Sequence, residues 1–114
     1  MRKEAEKLGA TILLKGSVDV ISNGTRTRYN RTGNPGMTVG GTGDVLSGIA
    51  AGLMAMGIPP FAAASAGAFI NGAAGDAVFE EKGFHIEPMD LIVKIPLIME
   101  KALMGQLKSI RKPT

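Results

Sequence analysis

The stretch that decides the fold is residues 34–48, with the sequence NPGMTVGGTGDVLSG and five glycines in fifteen positions. Glycine adopts positive φ angles and lets a ligand approach the backbone closely. We therefore expect Gly40, Gly41 and Gly43 to bring several main-chain N–H groups to one concave surface. A helix that begins near Asp44 would aim its free N–H groups and the positive end of its dipole at the same point. Together these features predict an anion site, most simply for phosphate.

Asp44 admits two interpretations. A carboxylate at a helix start interacts favourably with the helix dipole, and this capping role needs no ligand. Next to a bound phosphate, however, the carboxylate would repel it, so a site selected only for phosphate affinity would not use an acid. An enzyme of phosphoryl transfer would, because an Asp accepts the proton of the attacking hydroxyl. The segment is not a Walker P-loop, since no Lys-Ser or Lys-Thr pair follows Gly43.

The motif Gly40-Gly41-Thr42-Gly43-Asp44 resembles the anion hole of the ribokinase-like superfamily. The longer run 34–48, with Leu14-Lys15-Gly16-Ser17 and Asp19 upstream, is similar to the C-terminal part of NAD(P)H-hydrate dehydratase. Members of that family repair hydrated nicotinamide cofactors with ADP or ATP. The resemblance covers most of the chain, from about residue 11 to about residue 96.

The resemblance implies a role for each site residue. Residues that would bind the nucleotide are Lys15, Gly16, Ser17, Val18, Asp19, Gly43 and Asn71. The anion hole would consist of Gly40, Gly41, Thr42 and Gly43, and Asp44 would bind the substrate and act in catalysis. Implied cofactors are ADP or ATP and Mg²⁺, although no residue is identified as a metal ligand. The sequence departs from the family at Asn71, where a His is expected, and at Thr38-Val39, where Ala-Thr is common.

The residues alone leave two of these assignments open. From the residues alone, an exposed lysine without a ligand is the favoured interpretation of Lys15, since most lysines at strand ends are exposed. Asn71 and Asp76 could form a satisfied polar pair in the core instead of part of a site.

Composition excludes several other functions. The chain has 114 residues, which is at most one domain, and 45% of them are apolar. It has no cysteine, which excludes a disulfide framework, a cysteine metal site and a thiol nucleophile, and fits a reducing cytoplasm. The net charge is only +3 and no aromatic residues interleave with the basic ones, so we expect no nucleic-acid partner. His85, the single histidine, has no neighbouring metal ligands and is predicted to lie in a loop.

The pattern along the chain predicts an α/β protein. Residues 1–9 resemble the end of a helix that stops at Gly9, and residues 11–14 form a short strand. A hairpin follows, with strands at 18–21 and 26–29 around Asn23-Gly24. Helices are expected at 44–56, at 61–79 and from Pro88 onward, with a polar loop at 80–87 and a kink or break at Pro96.

The apolar segment 61–79 could in principle cross a membrane. Asn71 and Asp76 inside it favour a buried helix instead, and we expect no membrane partner. Its glycines, Gly67, Gly72 and Gly75, each cost helix stability, so they predict that another backbone or a nucleotide passes close by.

The resemblance implies that residues 1–114 form a partial domain, the C-terminal portion of a ribokinase-like three-layer fold with a short strand plus hairpin and then three helices. The family domain is well over twice this length. Two or three strands cannot make a well-covered sheet. We therefore expect a homo-oligomer, or assembly with a chain that carries the missing part.

The function implied by the resemblance is ADP- or ATP-dependent dehydration of hydrated NADH or NADPH in a cytoplasmic repair enzyme. Nucleotide and hydrated NAD(P)H would be its small-molecule partners. The alternatives are a small-molecule kinase of the same superfamily, a non-catalytic fragment that binds nucleotide, and a truncation with no role of its own.

Overall fold

The computed structural model describes residues 1–111, with side-chain positions for residues 1–101. The predicted end of the partial domain at Thr114 lies outside the described residues. The elements follow in the order α1 (Arg2–Leu8), β1 (Ile12–Leu14), β2 (Asp19–Ser22), β3 (Thr27–Asn30), a 3₁₀ turn (Pro35–Met37), α2 (Thr42–Ala55), α3 (Pro60–Lys82) and α4 (Pro88–Arg111). This order confirms the predicted α/β class.

The three strands form one antiparallel sheet in the order β1-β2-β3. The predicted hairpin is confirmed: the N–H of Asn23 donates to the carbonyl of Arg26 across the turn at 3.1 Å. Gly24 takes a φ of +93° in that turn, a region that side chains disfavour. Both outer strands leave one edge without a strand partner within the part of the chain that the structure describes.

Helix α3 is the centre of the molecule. It packs most extensively against α2 and α4 and also contacts β2 and β3. It buries ten residues, which explains why its sequence lacks a polar face. Within the described residues, no helix is long and apolar enough to cross a membrane. The core has two clusters along α3, one of Ile21, Leu46, Phe61 and Ala68 and one of Ala74, Val78, Ile86 and Leu91.

Two of the three α3 glycines lie where another segment passes close by, as predicted. A Cβ added at Gly72 would overlap Thr32, including its backbone carbonyl carbon at 2.6 Å, and one at Gly75 would overlap the side chain of Met37. At Gly67 the nearest atom, in Ala50, is 3.5 Å away, which is an ordinary contact. Glycine therefore lets the loop at 32–37 lie directly on α3.

Helix boundaries differ from the sequence pattern in three places. Helix α2 begins at Thr42 instead of Asp44. Helix α3 continues to Lys82, and ion pairs from Lys82 to Asp90 and from Glu81 to Lys94 join its last turn to α4. The predicted polar loop therefore starts at residue 83. Of the kink or break predicted at Pro96, the break was wrong, since α4 runs through Pro96 as one helix whose neighbouring turns pack on the core. The kink stays a prediction.

Candidate active site

Three segments that are distant in sequence surround one cavity of about 790 Å³. The first segment is the turn after β1, the second is the loop between β3 and α2, and the third is the middle of α3. The lining residues are Lys15, Gly16, Ser17, Asp19, Thr32, Gly33, Asn34, Pro35, Met37, Thr38, Val39, Gly40, Gly41, Thr42, Gly43, Asn71 and Gly72. We call this space the first cavity. It brings together every residue that the resemblance assigns to the nucleotide or the anion hole, with the exception of Val18, which is half-buried and does not line it.

Residues 40–43, which we call the glycine nest, join the loop to the start of α2. Gly41 is the residue before the helix, with a φ of +103°, and an added Cβ would lie 2.6 Å from Cγ of Pro88. Only glycine fits this position without strain. At Gly40 and Gly43 an added Cβ would meet nothing within 4 Å, so both residues border open space.

The main-chain N–H groups of the glycine nest and of Asp44 have no acceptor among the residues that the structure describes. The first hydrogen bond of α2 runs from the N–H of Val45 to the carbonyl of Gly41. Free N–H groups at a helix start, with the dipole behind them, attract an anion. The nest therefore has the geometry of a phosphate site at the edge of the first cavity.

Thr42 holds the loop that precedes the nest. Its side chain is only 3% exposed, and its hydroxyl donates to the carbonyls of Met37 at 2.8 Å and Val39 at 3.2 Å. Further back, the amide of Asn34 donates to Asp76 on α3 at 2.9 Å, and Asn34 accepts the N–H of Gly36 at 3.0 Å. The loop is thus tied to α3 at one end and to α2 at the other.

The turn after β1 is held by Asp19. One carboxylate oxygen accepts the N–H of Gly16 at 3.2 Å, and the other accepts the amide of Asn30 at 3.0 Å. Asn30 also donates to the carbonyl of Ala68 on α3 at 3.1 Å. Asp19 is buried with its two oxygens already bonded to protein, whereas Lys15 is exposed. The carboxylate therefore fixes the shape of the turn that carries Lys15.

Asn71 and Asp76 are not a pair. Asp76 accepts from the N–H of Gly33 at 3.1 Å and from Asn34, whereas the amide of Asn71 approaches the carbonyl of Thr42 at 3.5 Å. Oδ1 of Asn71 is buried and has no hydrogen-bond partner in the described part of the chain. Asn71 is therefore a polar group of α3 that lies beside the nest and lines the first cavity.

Asp44 lies in the first turn of α2 and is exposed. It lines a second cavity of about 550 Å³ with Val45, Gly48, Ile49, Pro88, Ile92 and Ile95. Gly41 lines both cavities. Asp44 thus borders a mainly apolar space, whereas Lys15 lines the first cavity.

Sequence reasoning missed two groups of lining residues. The loop residues Thr32, Gly33 and Met37 line the first cavity. In the sequence, only the glycine-rich stretch that begins at Asn34 indicated a site in this region. Pro88, Ile92 and Ile95 of α4 line the second cavity, and no local pattern distinguishes them from core residues. Within residues 1–101, no group of three or more His, Cys, Asp or Glu side chains could hold a metal ion.

Comparison with known proteins gives consistent matches. The model of the NAD(P)H-hydrate dehydratase family (Carb_kinase) matches residues 1–97. The chain is 56% identical over 96 residues to an ADP-dependent (S)-NAD(P)H-hydrate dehydratase of Cenarchaeum symbiosum, a match that covers 84% of this chain and 33% of that protein. It is 48% identical over 100 residues to the enzyme of the same name from Nitrosopumilus maritimus, covering 88% and 35%.

The fold has a match among solved structures. A ribokinase-like superfamily protein from Enterococcus faecalis superimposes with a TM-score of 0.76 at 35% identity, covering 88% of this chain and 35% of that one. The α/β architecture is therefore a portion of the ribokinase-like fold. The chain spans about one third of the length of these two curated relatives.

Proposed function

This chain belongs to the NAD(P)H-hydrate dehydratase family, and we propose that it supplies the nucleotide- and phosphate-binding part of an enzyme that dehydrates hydrated NADH or NADPH with ADP or ATP. One observation carries the proposal: the glycine nest, whose N–H groups make no hydrogen bond to a described residue, lines the first cavity, and its Gly41 also lines the second cavity together with Asp44. The relatives named above are ADP-dependent, which favours ADP as the nucleotide.

The nucleotide occupies the first cavity. Its volume, about 790 Å³, is in the range of small-molecule sites. The turn that carries Lys15, Gly16 and Ser17 borders the nucleotide on one side, with Val18 behind it and Asp19 holding its shape. The terminal phosphate lies on the glycine nest, where Gly40, Gly41, Thr42 and Gly43 offer main-chain N–H groups to its oxygens. Asn71 approaches from α3.

The hydrated nicotinamide ring occupies the second cavity. The saturated carbons of the hydrated ring form an apolar surface, which suits the isoleucines that line this space. Asp44 accepts the proton of the ring hydroxyl, whose oxygen then attacks the terminal phosphorus held by the nest. With ADP the leaving group is AMP. Departure of the ester as phosphate, together with loss of a proton from the adjacent ring carbon, restores the double bond of the dihydronicotinamide.

Mg²⁺ is a cofactor that the resemblance implies, to neutralise the phosphate charge. The described residues do not offer a cluster of acidic or histidine ligands for it. No step of the proposal is therefore assigned to a metal.

The rest of the domain is a partner in this proposal. The chain spans about one third of the two relatives named above, and several large apolar side chains are exposed, among them Leu14 (59%), Met89 (65%) and Val93 (69%). Exposed apolar surface and free strand edges favour association. We expect the purified chain to form a homo-oligomer or to bind a polypeptide that carries the remaining two thirds. Light scattering after size exclusion tests this, and a monomer at both low and high concentration would contradict it.

The decisive experiment combines binding and turnover. First, calorimetry measures ADP binding to the purified 114-residue chain, which we expect to bind ADP. Second, the chain is mixed with the part of the Cenarchaeum symbiosum relative that the match does not cover, and recovery of NADPH absorbance from hydrated NADPH is followed with and without ADP. We expect recovery that depends on ADP and on both polypeptides.

Asp44→Asn is the matched variant for the chemical step. It removes the proton acceptor and keeps the shape, so turnover should fall roughly 10²–10⁴-fold while ADP affinity stays near that of the wild type. Unchanged turnover would remove Asp44 from the proposed role. A stable phosphorylated product without recovery of NADPH would instead favour a small-molecule kinase, the remaining alternative for the same site.

A further inference from the structure

The hydroxyl of Thr42 donates to the protein backbone instead of contacting a ligand. The side chain is almost completely buried, and its one hydroxyl hydrogen is shared between the carbonyls of Met37 and Val39. Because the hydroxyl lies inside the protein, the two carbonyls that accept it point inward. The hydroxyl is therefore directed at the loop and not at a ligand in the first cavity.

The direction of these carbonyls matters for the nest. An anion site built from backbone needs its N–H groups to converge and its carbonyl oxygens to point elsewhere, since each carbonyl oxygen carries partial negative charge. Val39 immediately precedes the glycine nest, Met37 lies two residues further back, and both line the first cavity. If their carbonyls turned outward, they would face the same space as the phosphate and would repel it.

We propose that Thr42 is a positioning residue: its buried hydroxyl keeps the carbonyls of Met37 and Val39 away from the anion, so that only N–H groups face it. This inference rests on the proposed function in one respect, that the anion is a nucleotide phosphate. The fixed end of the loop supports it, because Asn34 is tied to Asp76 and leaves the Met37–Thr42 end as the part that the hydroxyl must hold.

The test compares three variants of the full chain. Thr42→Val keeps the branched shape and removes the hydroxyl, Thr42→Ser keeps the hydroxyl, and Thr27→Val removes a hydroxyl that bonds to Ser22 in the distant hairpin. Calorimetry measures the affinity of each variant for ADP and for adenosine, and the ratio of the two affinities reports the contribution of the phosphates.

We expect Thr42→Val to weaken ADP binding roughly tenfold and to leave adenosine binding within about twofold of the wild type. Thr42→Ser and Thr27→Val should keep both affinities. Thr42→Val with wild-type ADP affinity would overturn the inference, as would equal losses for ADP and adenosine, which indicate a purely structural role.

A second measurement needs no ligand. The carbonyl ¹³C resonances of Met37 and Val39 should move in Thr42→Val and stay in place in Thr42→Ser, because only the first variant releases these carbonyls. Unchanged resonances in Thr42→Val would overturn the inference. If the wild-type chain binds ADP no more tightly than adenosine, the proposed function fails, and the resonances alone decide whether the hydroxyl orients the loop.

Discussion

Gly41→Ala should damage both the stability of the protein and its affinity for ADP. Gly41 has a φ of +103°, and the new Cβ would lie 2.6 Å from Cγ of Pro88, the first residue of α4. The ring of a proline cannot rotate out of the way. The variant must therefore either move α4 away from α2 or change the backbone angles of the nest.

The expected cost follows from these two defects. A side chain forced to positive φ costs about 1–3 kcal/mol, and overpacking adds about 1–3 kcal/mol. A loss of 1 kcal/mol lowers the melting temperature of a small domain by about 4–8 °C, so we expect a decrease of roughly 10 °C or more. Where the nest opens to relieve the strain, its N–H groups no longer converge and ADP affinity falls.

Circular dichroism gives the melting temperature and calorimetry gives the ADP affinity. Gly52→Ala is the matched control, because it lies in α2 with negative φ and open space around an added Cβ. An alanine there should stabilise the helix by about 0.5–1 kcal/mol and leave ADP binding unchanged. If Gly41→Ala melted with the wild type and bound ADP equally well, the close packing of the nest against α4 would be refuted.

Two further predictions concern the scaffold. Gly72→Ala should lower the free energy of unfolding by about 2–4 kcal/mol, because its Cβ meets the backbone of Thr32. Gly75→Ala should cost less, because only a flexible methionine side chain must move. Chemical denaturation measures both free energies, and equal costs would contradict this reasoning. Asp90→Asn should destabilise the protein slightly at neutral pH. The hydrogen bond from Lys82 lowers the pKa of Asp90, so the unfolded carboxylate takes up its proton at a higher pH than the folded one. The contribution of Asp90 to the free energy of unfolding is therefore complete above its ordinary pKa and is lost as the pH falls through the lowered pKa. Melting temperatures of the wild type and Asp90→Asn, measured across this pH range, test this, and a difference that did not change with pH would contradict the account.

Local sequence signals predicted much of the fold. Asn23-Gly24 specified the hairpin, Gly9 the end of α1, and the spacing of apolar residues specified α2. The glycines of α3 predicted a close neighbour, which the loop at 32–37 provides. These features depend on residues a few positions apart, so the sequence alone carries them.

Contacts between residues that are distant in the sequence could not be predicted from local patterns. Ion pairs join the last turn of α3 to α4, and α4 packs against α3 on both sides of Pro96. Neither contact follows from a local pattern. At Pro96 the packing of α4 overrides a helix-breaking residue, whereas Glu80, Glu81 and Lys82 are good helix formers that extend α3.

The candidate site likewise combines features that depend on neighbouring residues with features that depend on long-range contacts. The motif at residues 40–44 indicated an anion site before any geometry was known, and the structure brings Lys15 and Asn71 to the same cavity. The second cavity, with Asp44 facing Ile92 and Ile95, depends on how α4 crosses α2 and had no signal in the sequence. The buried hydroxyl of Thr42 was likewise hidden, because a threonine in a glycine-rich loop is equally compatible with a ligand contact.

The most direct test of the central idea is an NMR titration that follows each main-chain amide. In ¹H–¹⁵N spectra of the 114-residue chain, ADP should shift the amide signals of residues 40–44 and adenosine should leave them nearly unchanged, because only ADP carries phosphates to the nest. If ADP left these signals in place while shifting others, the phosphate would bind elsewhere, and the glycine nest would not be the anion site of this protein.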